Sequence, residues 1–407
     1  MKVALFTAGV LPVPPTKGGA VENLVQMLVE ENEIHQSAEF TVLSIHDEIA
    51  VSASSVYRFS KFHFIKFPLV VKSADVIIYR IARLIFPSKA LSFRMILSRL
   101  WYIKKSRDFF LQNDFHFIVA ENHPSLFLVM KDRRMKRHYG GKFLYHAHNE
   151  PNGSFLCKKQ IEQCPKVLTV SNFISESWRK SYPNGQAEYV FVPNGIDIAL
   201  FSQEVPPDDE DTLRKELGIS EKDFTIIFAG RLVEGKGILQ LARVFASLPI
   251  KEKRLLIVGS AFFGTGEKTP VQKKLEEILA PCQEKVVFTG YVPYQDIWKY
   301  YKISSVAGFV PIWNEPGALT NIEAQASSLP VVTTTSGGIP EYSNPESQIL
   351  LPIDEKLEQN LYNKLMWLQE NPKICQEIGR RNFEFAQQFS KENFYKNFLH
   401  ALEPAHE

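Results

Sequence analysis

Residues 224–237 read Phe224-Thr225-Ile226-Ile227-Phe228-Ala229-Gly230-Arg231-Leu232-Val233-Glu234-Gly235-Lys236-Gly237. An apolar, β-branched run stops at a glycine, a short cationic loop follows, and a helical pattern then occupies residues 237–247. Strand, loop and helix in that order form the repeating unit of a parallel α/β sheet. A lysine in the first helical turn opposes the helix dipole, so a bound anion accounts for it better than helix stability does. Arg231 offers a planar fork and Lys236 a mobile point charge, together enough to neutralise a diphosphate. A solvated loop with two cations is the plain alternative, and the position directly after a strand favours the binding role.

The same alternation extends in both directions. Downstream, strands are expected near 254–258, 285–288, 305–310 and 330–334, with helices near 270–280 and 320–328. Upstream, strands are expected near 2–7, 40–45, 116–120, 142–147, 166–170 and 188–192, with a helix over 20–31 carried by Val21, Leu24, Val25 and Leu28. The rhythm breaks at Val192-Pro193-Asn194-Gly195-Ile196-Asp197 and the acidic stretch Pro206 to Asp211. The expected organisation is therefore an N-terminal Rossmann-like domain over 1–192, a second over 193–385, and a C-terminal helix over 386–407 returning to the first domain. Ligands of open parallel sheets bind beyond the carboxyl ends of strands, so the expected site is a cleft between the two domains.

Glu315-Pro316-Gly317-Ala318-Leu319-Thr320-Asn321-Ile322-Glu323 is the second chemical stretch. Two carboxylates flank a glycine-containing turn at a helix start, where free amides attract anions. Side chains lean toward a helix N-terminus, so Glu323 is placed to share a cavity with Glu315. Taken alone, such a pair is also what an ordinary acidic first turn would look like.

With 407 residues and 45% hydrophobic content, the chain is long enough for two cores. The start reads as a strand rather than a signal sequence, so a cytoplasmic location is expected, extending to the inner face of the cell membrane. Cysteines 157, 164, 282 and 375 lack paired spacing, which predicts buried free thiols rather than a disulfide framework or zinc site. The net charge of +2 hides an asymmetry: residues 1–192 hold 25 Lys and Arg against 16 Asp and Glu, the remainder 22 against 29. Residues 61–108 hold 11 basic and two acidic residues among Phe62, Phe64, Phe67, Tyr79, Phe86, Phe93, Trp101 and Tyr102. Such a segment suits an anionic membrane surface or a phosphorylated lipid, and equally a pair of surface helices with basic outer faces. No nucleic-acid-binding motif accompanies it.

Together, Gly230-Arg231 with Lys236-Gly237, Glu315 and Glu323, Gly337-Gly338-Ile339-Pro340-Glu341, and the hinge Pro193-Asn194-Gly195-Ile196-Asp197 resemble family 4 retaining glycosyltransferases of the GT-B fold. The first half adds Gly18-Gly19 with Glu22, Glu121-Asn122-His123-Pro124 and His146-Ala147-His148-Asn149. The resemblance implies a nucleoside-diphosphate sugar donor, foremost a UDP-sugar, held mainly by the second domain without a metal. It assigns Arg231 and Lys236 to the diphosphate, Glu323 to the ribose, Glu315 to the donor sugar, and Gly317, Ala318, Leu319 and Thr320 to amides facing sugar and phosphate. Val292 falls where the family contacts the base, and Gly19 approaches the diphosphate from the first domain. Pro316-Gly317-Ala318 departs from the common Gly-Phe-Gly, which leaves the sugar open. Hexosyl or N-acetylhexosaminyl transfer to a lipid-linked or polysaccharide acceptor in surface glycan synthesis is the implied activity.

His123 is the first-domain candidate for contacting the transferred sugar or acceptor, with His148 and Glu121 behind it, although a histidine beside a proline more often stabilises a loop. His146 reads as structural. A catalytically silent nucleotide-sugar-binding partner subunit would carry the same second domain. A dehydrogenase is disfavoured because no GxGxxG follows the first strand.

Overall fold

The computed structural model describes residues 1–85, 95–259 and 269–403. The chain divides into two compact units, one comprising Met1–Pro193 with Phe394–Glu407, the other Asn194–Asn393.

The first unit is built on seven strands: β1 (Lys2–Phe6), β2 (Glu39–Ile45), β3 (Lys61–Ile65), β4 (Phe117–Glu121), β5 (Phe143–Ala147), β6 (Lys166–Thr169) and β7 (Glu188–Phe191). Their order is β3-β2-β1-β4-β5-β6-β7, and every pair is parallel. Val3 to Phe6 are completely buried. Central strands of a parallel sheet are covered on both faces, which explains their continuous apolar runs. Register places Glu121 opposite His146 at the ends of β4 and β5.

The basic segment resolves into three elements rather than two helices. Phe62 and Phe64 lie on edge strand β3, and helices Leu69–Ile85 and Ile96–Gln112 follow. Asp75 is buried and accepts from the amides of Leu97 (2.8 Å) and Ser98 (2.9 Å), capping the second helix. Phe86, Lys89, Phe93 and Arg94 of that segment lie outside the described residues. The final helix, Lys391–Leu402, buries Phe394, Tyr395, Phe398 and Leu402. Within the first unit Phe398 packs against Phe40 and His146, and the Tyr395 hydroxyl meets Asn32 Oδ1 at 2.8 Å.

The second unit holds β8 (Phe224–Ala229), β9 (Lys253–Val258), β10 (Val286–Gly290), β11 (Val306–Phe309), β12 (Val331–Thr334) and β13 (Ile349–Leu351). All six are parallel, in the order β10-β9-β8-β11-β12-β13. The strand order reverses between β8 and β11, which is where a doubly wound sheet opens a crevice for ligand. Helix Ile238–Ser247 buries six residues against this sheet, including Leu241, Ala242 and Phe245. Lys236 belongs to a short 3-10 turn, Glu234–Lys236, ahead of Gly237 and the helix, not to the helix's first turn. The loop continues one turn longer because Gly237 adopts φ +72°, outside helical geometry. Three cysteines are buried, Cys375 is half-buried, and all are free thiols. Among the described residues no helix is long and apolar enough to cross a membrane.

Candidate functional site

The loop after β8 and the loop after β11 flank the point where the second sheet's order reverses. Their approach is tight. A Cβ at Gly237 would stand 1.8 Å from the Val310 carbonyl oxygen, and one at Gly235 would stand 2.8 Å from the Trp313 ring. Only glycine lets the two loops meet at these positions. The result is an ion pair between them: Lys236 Nζ lies 2.7 Å from Glu315 Oε2. The same oxygen accepts from Trp313 Nε1 at 2.8 Å, and Lys236 Nζ sits 5.6 Å from the centre of the Trp313 ring.

The Glu315 backbone is held from behind by the loop after β12. Its N–H donates to Ser336 Oγ (3.1 Å), and its carbonyl accepts from the Gly338 N–H (2.8 Å). Ser336 Oγ also donates to the Trp313 carbonyl. Gly337 adopts φ +54°, and a Cβ there would stand 2.4 Å from the Glu315 carbonyl oxygen.

Glu315 and Lys236 line a pocket with Ala318, Thr320, Asn321 and Thr333, floored by Phe228, Ala229 and Phe309. Asn321 Oδ1 and Thr333 Oγ1 are buried and have no hydrogen-bond partner among the described residues. A polar ligand or water is what such atoms ordinarily satisfy. Helix Leu319–Ala326 starts at Ala318, which offers no side-chain cap, so its first-turn amides are not occupied by a side chain.

Glu323 lies one turn into that helix and is buried. Its Oε2 accepts from the Tyr301 hydroxyl at 2.9 Å. Burial raises its carboxyl to about 7, against the opposing effects of the Tyr301 hydrogen bond and the Lys236 charge. Arg231 is exposed, and its guanidinium makes no hydrogen bond or ion pair among the described residues. Val292, following β10, and Leu319 are half-buried against the second core, and Gly317 and Thr320 of the turn are half-buried. The structure thus gathers Lys236, Glu315, Ala318 and Thr320 around one pocket, with Glu323 beneath it in electrostatic reach of Lys236.

The first unit holds the remaining candidates at the ends of β1, β4 and β5. Gly19, with φ +118°, precedes helix Ala20–His35, and a Cβ there would stand 2.1 Å from Glu22 Oε2. Glu22 is buried, which raises its carboxyl to about 7, and the Glu121 charge adds to the effect. Glu121 Oε2 lies 2.9 Å from His148 Nε2 and 3.1 Å from His146 Nδ1. Burial alone would raise this carboxyl, but the two imidazoles overcome it and hold it down at about 2. His148 is pushed down to about 4 by burial and by His146, against the pull of Glu121, and is neutral at pH 7. These three residues form a buried cluster whose ligand-type atoms fall within 4.8 Å of one another. His123 stands apart from it. Its Nδ1 accepts from the Ser125 N–H (3.2 Å) and lies 2.8 Å from Ser125 Oγ, capping the turn Pro124–Lys131. Burial, with Arg99 nearby, pushes the ring down to about 4. That geometry is the loop-stabilising role, with one ring nitrogen committed to the backbone.

Trp313, Asn321, Thr333 and Tyr301 were not singled out by sequence reasoning. Nothing in their local pattern marks them; they reach the site only through the strand order.

Residues 209–385 match the family described as glycosyl transferases group 1. The solved structure of Anabaena HepE in complex with UDP superposes with a TM-score of 0.72 at 18% identity, covering 99% of each chain. The chain has the GT-B glycosyltransferase fold. The spore coat protein SA of Bacillus subtilis is 26% identical over 84% of this chain and 82% of its own length. The lipopolysaccharide 1,2-N-acetylglucosaminetransferase of Salmonella typhimurium is 25% identical over 55% of this chain and 56% of its own. The matched segment begins in the helix Pro207–Leu217 before β8 and ends in the helix Pro372–Ala386, so it contains every second-unit residue of the pocket described above.

Proposed function

We propose that the protein is a retaining, family 4-like glycosyltransferase that moves a hexosyl or N-acetylhexosaminyl group from a UDP-sugar to a lipid-linked or polysaccharide acceptor in surface glycan synthesis. The observation that carries this reading is the Lys236–Glu315 pair, set over a pocket at the switch point of the second sheet within the group 1 segment. The choice of uridine is supported by the UDP complex of HepE, a protein of the same fold.

In this reading Arg231 and Lys236 neutralise the diphosphate, and the Ala318 and Thr320 amides at the helix start meet its oxygens. Breaking the anomeric C–O bond transfers the bonding electrons to the diphosphate oxygen. Fixed cations and amides stabilise that charge as it develops, without reorganising at the moment of reaction. Glu315, oriented by Trp313, takes the donor sugar hydroxyls; Glu323 takes the ribose hydroxyls; Val292 borders the base. His123, half-buried with its Nδ1 on the Ser125 cap, is the first unit's candidate for contacting the transferred sugar or acceptor, with the buried His148–Glu121 pair behind it. The acceptor oxygen attacks on the face the diphosphate leaves and gives its proton to the departing phosphate oxygen, so the anomeric configuration is kept.

The test is incubation of the purified chain with UDP-, GDP- and dTDP-sugars, reading hydrolysis and thermal stabilisation, then the anomeric configuration of the product by NMR. Turnover of a UDP-sugar with retained configuration is expected. Absence of both binding and hydrolysis across the panel would overturn the reading.

A further inference from the structure

Helix Leu69–Ile85 displays an aliphatic surface that its own unit does not cover. Leu69, Val70, Val76, Ile77, Ile81, Leu84 and Ile85 are all exposed, Leu84 by 84% and Leu69 by 80%. Val70, Ile77, Ile81 and Leu84 recur at i, i+7, i+11 and i+14 and so form one row along the helix. Seven large aliphatics exposed on one helix exceed the scattered single residues normal for a soluble surface.

The charges around the row say what covers it. Lys72, Arg80 and Arg83 are exposed on the same helix, and Lys66, Lys104 and Lys105 are exposed on the neighbouring segments. The helix has one acid, Asp75, and that side chain is turned inward and engaged with the Leu97 and Ser98 amides. A second copy docking row to row would bring the Arg80 flanks of the two helices toward the contact with no free carboxylate on either helix to pair them. An anionic bilayer supplies hydrocarbon for the row and phosphate for the cations together. At 17 residues with four charges the helix is too short and too polar to span, so it lies in the interface plane. Long arginine and lysine stems reach headgroups while their neighbours sink.

We propose that helix Leu69–Ile85 docks the protein on an anionic membrane leaflet by inserting the Val70, Ile77, Ile81 and Leu84 row, with Lys72, Arg80 and Arg83 contacting lipid phosphates. The helix belongs to the first unit and the sugar-donor pocket of the proposed function to the second, and the test does not use catalysis.

Full-length protein is sedimented with vesicles of phosphatidylcholine alone and of phosphatidylcholine with phosphatidylglycerol, beside the double variant Ile77→Asp/Leu84→Asp and the double variant Arg80→Ala/Arg83→Ala. Both pairs are exposed, so folding is monitored by melting temperature and is expected to be unchanged. Binding to the anionic vesicles is expected, at least ~10-fold weaker after the aspartate substitutions and about fivefold weaker per arginine removed, the latter loss shrinking in high salt. Failure of the native protein to bind anionic vesicles overturns the proposal, and so does binding that both variants retain. A dimer in solution that the aspartate variant dissociates would assign the row to a second copy and overturn the membrane assignment.

Discussion

Glu323→Gln separates what Glu323 does for folding from its proposed role at the donor ribose. Its carboxyl rises from the ordinary 4.5 to about 7 because it is buried, with one hydroxyl donor and a nearby cation as incomplete compensation. Folding therefore favours the protonated acid. The stability this contributes is fully present below 4.5 and is lost as pH rises through about 7. At about 1.4 kcal/mol per tenfold change in proton affinity, ionising the buried acid costs the native state about 3 kcal/mol in mildly alkaline solution. Glutamine keeps an oxygen for the Tyr301 hydroxyl and carries no charge, so it resembles the protonated acid at every pH. The variant should be about 3 kcal/mol more stable than the native protein near pH 8, and about 1 kcal/mol or less near pH 5. Urea denaturation followed through the tryptophans of the second unit, including Trp298 and Trp313, reads this at each pH. The same substitution should weaken UDP binding by roughly 10- to 100-fold, through loss of charge-assisted hydrogen bonds to ribose. A stability difference that is flat with pH, or a variant less stable than the native protein in alkali, would refute the reasoning.

Lys236→Ala should lower kcat by roughly 100- to 1,000-fold, as loss of one preorganised leaving-group contact does, while leaving the melting temperature close to native; near-normal turnover would remove Lys236 from the chemistry. Gly237→Ala combines a positive φ with a Cβ driven into the Val310 carbonyl, and should cost about 2–4 kcal/mol in chemical denaturation along with donor binding. Glu121→Ala leaves the buried His148 Nε2 without its partner, removes the carboxylate beside His146, and should cost about 3 kcal/mol at neutral pH. Because the Glu121 carboxyl is held low, that gap should narrow as pH falls from 4.5 toward 2, and an acid-independent gap would contradict the assigned charge.

The strands legible in the sequence were those with long apolar runs, because both faces of a parallel sheet are covered. Two edge strands escaped for the same physical reason reversed. Lys61-Phe62-His63-Phe64-Ile65 mixes polar and aromatic residues because β3 has a neighbour on one side only, and β13 is three residues long. At the site, Lys236 and Glu315 could be read because each sits just past a recognisable strand. Trp313 could not, since its meeting with Gly235 and Lys236 depends on β11 lying beside β8, where Val306 pairs with Ile226. Asp75 illustrates the opposite error: counted as one of two acids in a basic stretch, it is withdrawn from the surface altogether, leaving the exposed face more cationic and more apolar than composition suggested.

The backbone of Glu315 is fastened from the far side, by Gly338, Ser336 and the close fit of Gly337, rather than by the three residues that follow it. For protein engineering this makes Pro316-Gly317-Ala318 a cassette. On the proposed assignment of Glu315, randomising those three positions would recut the space beside the donor sugar while the carboxylate stays in register, so a library confined to them would sample new donors without first having to rebuild the grip on the old one.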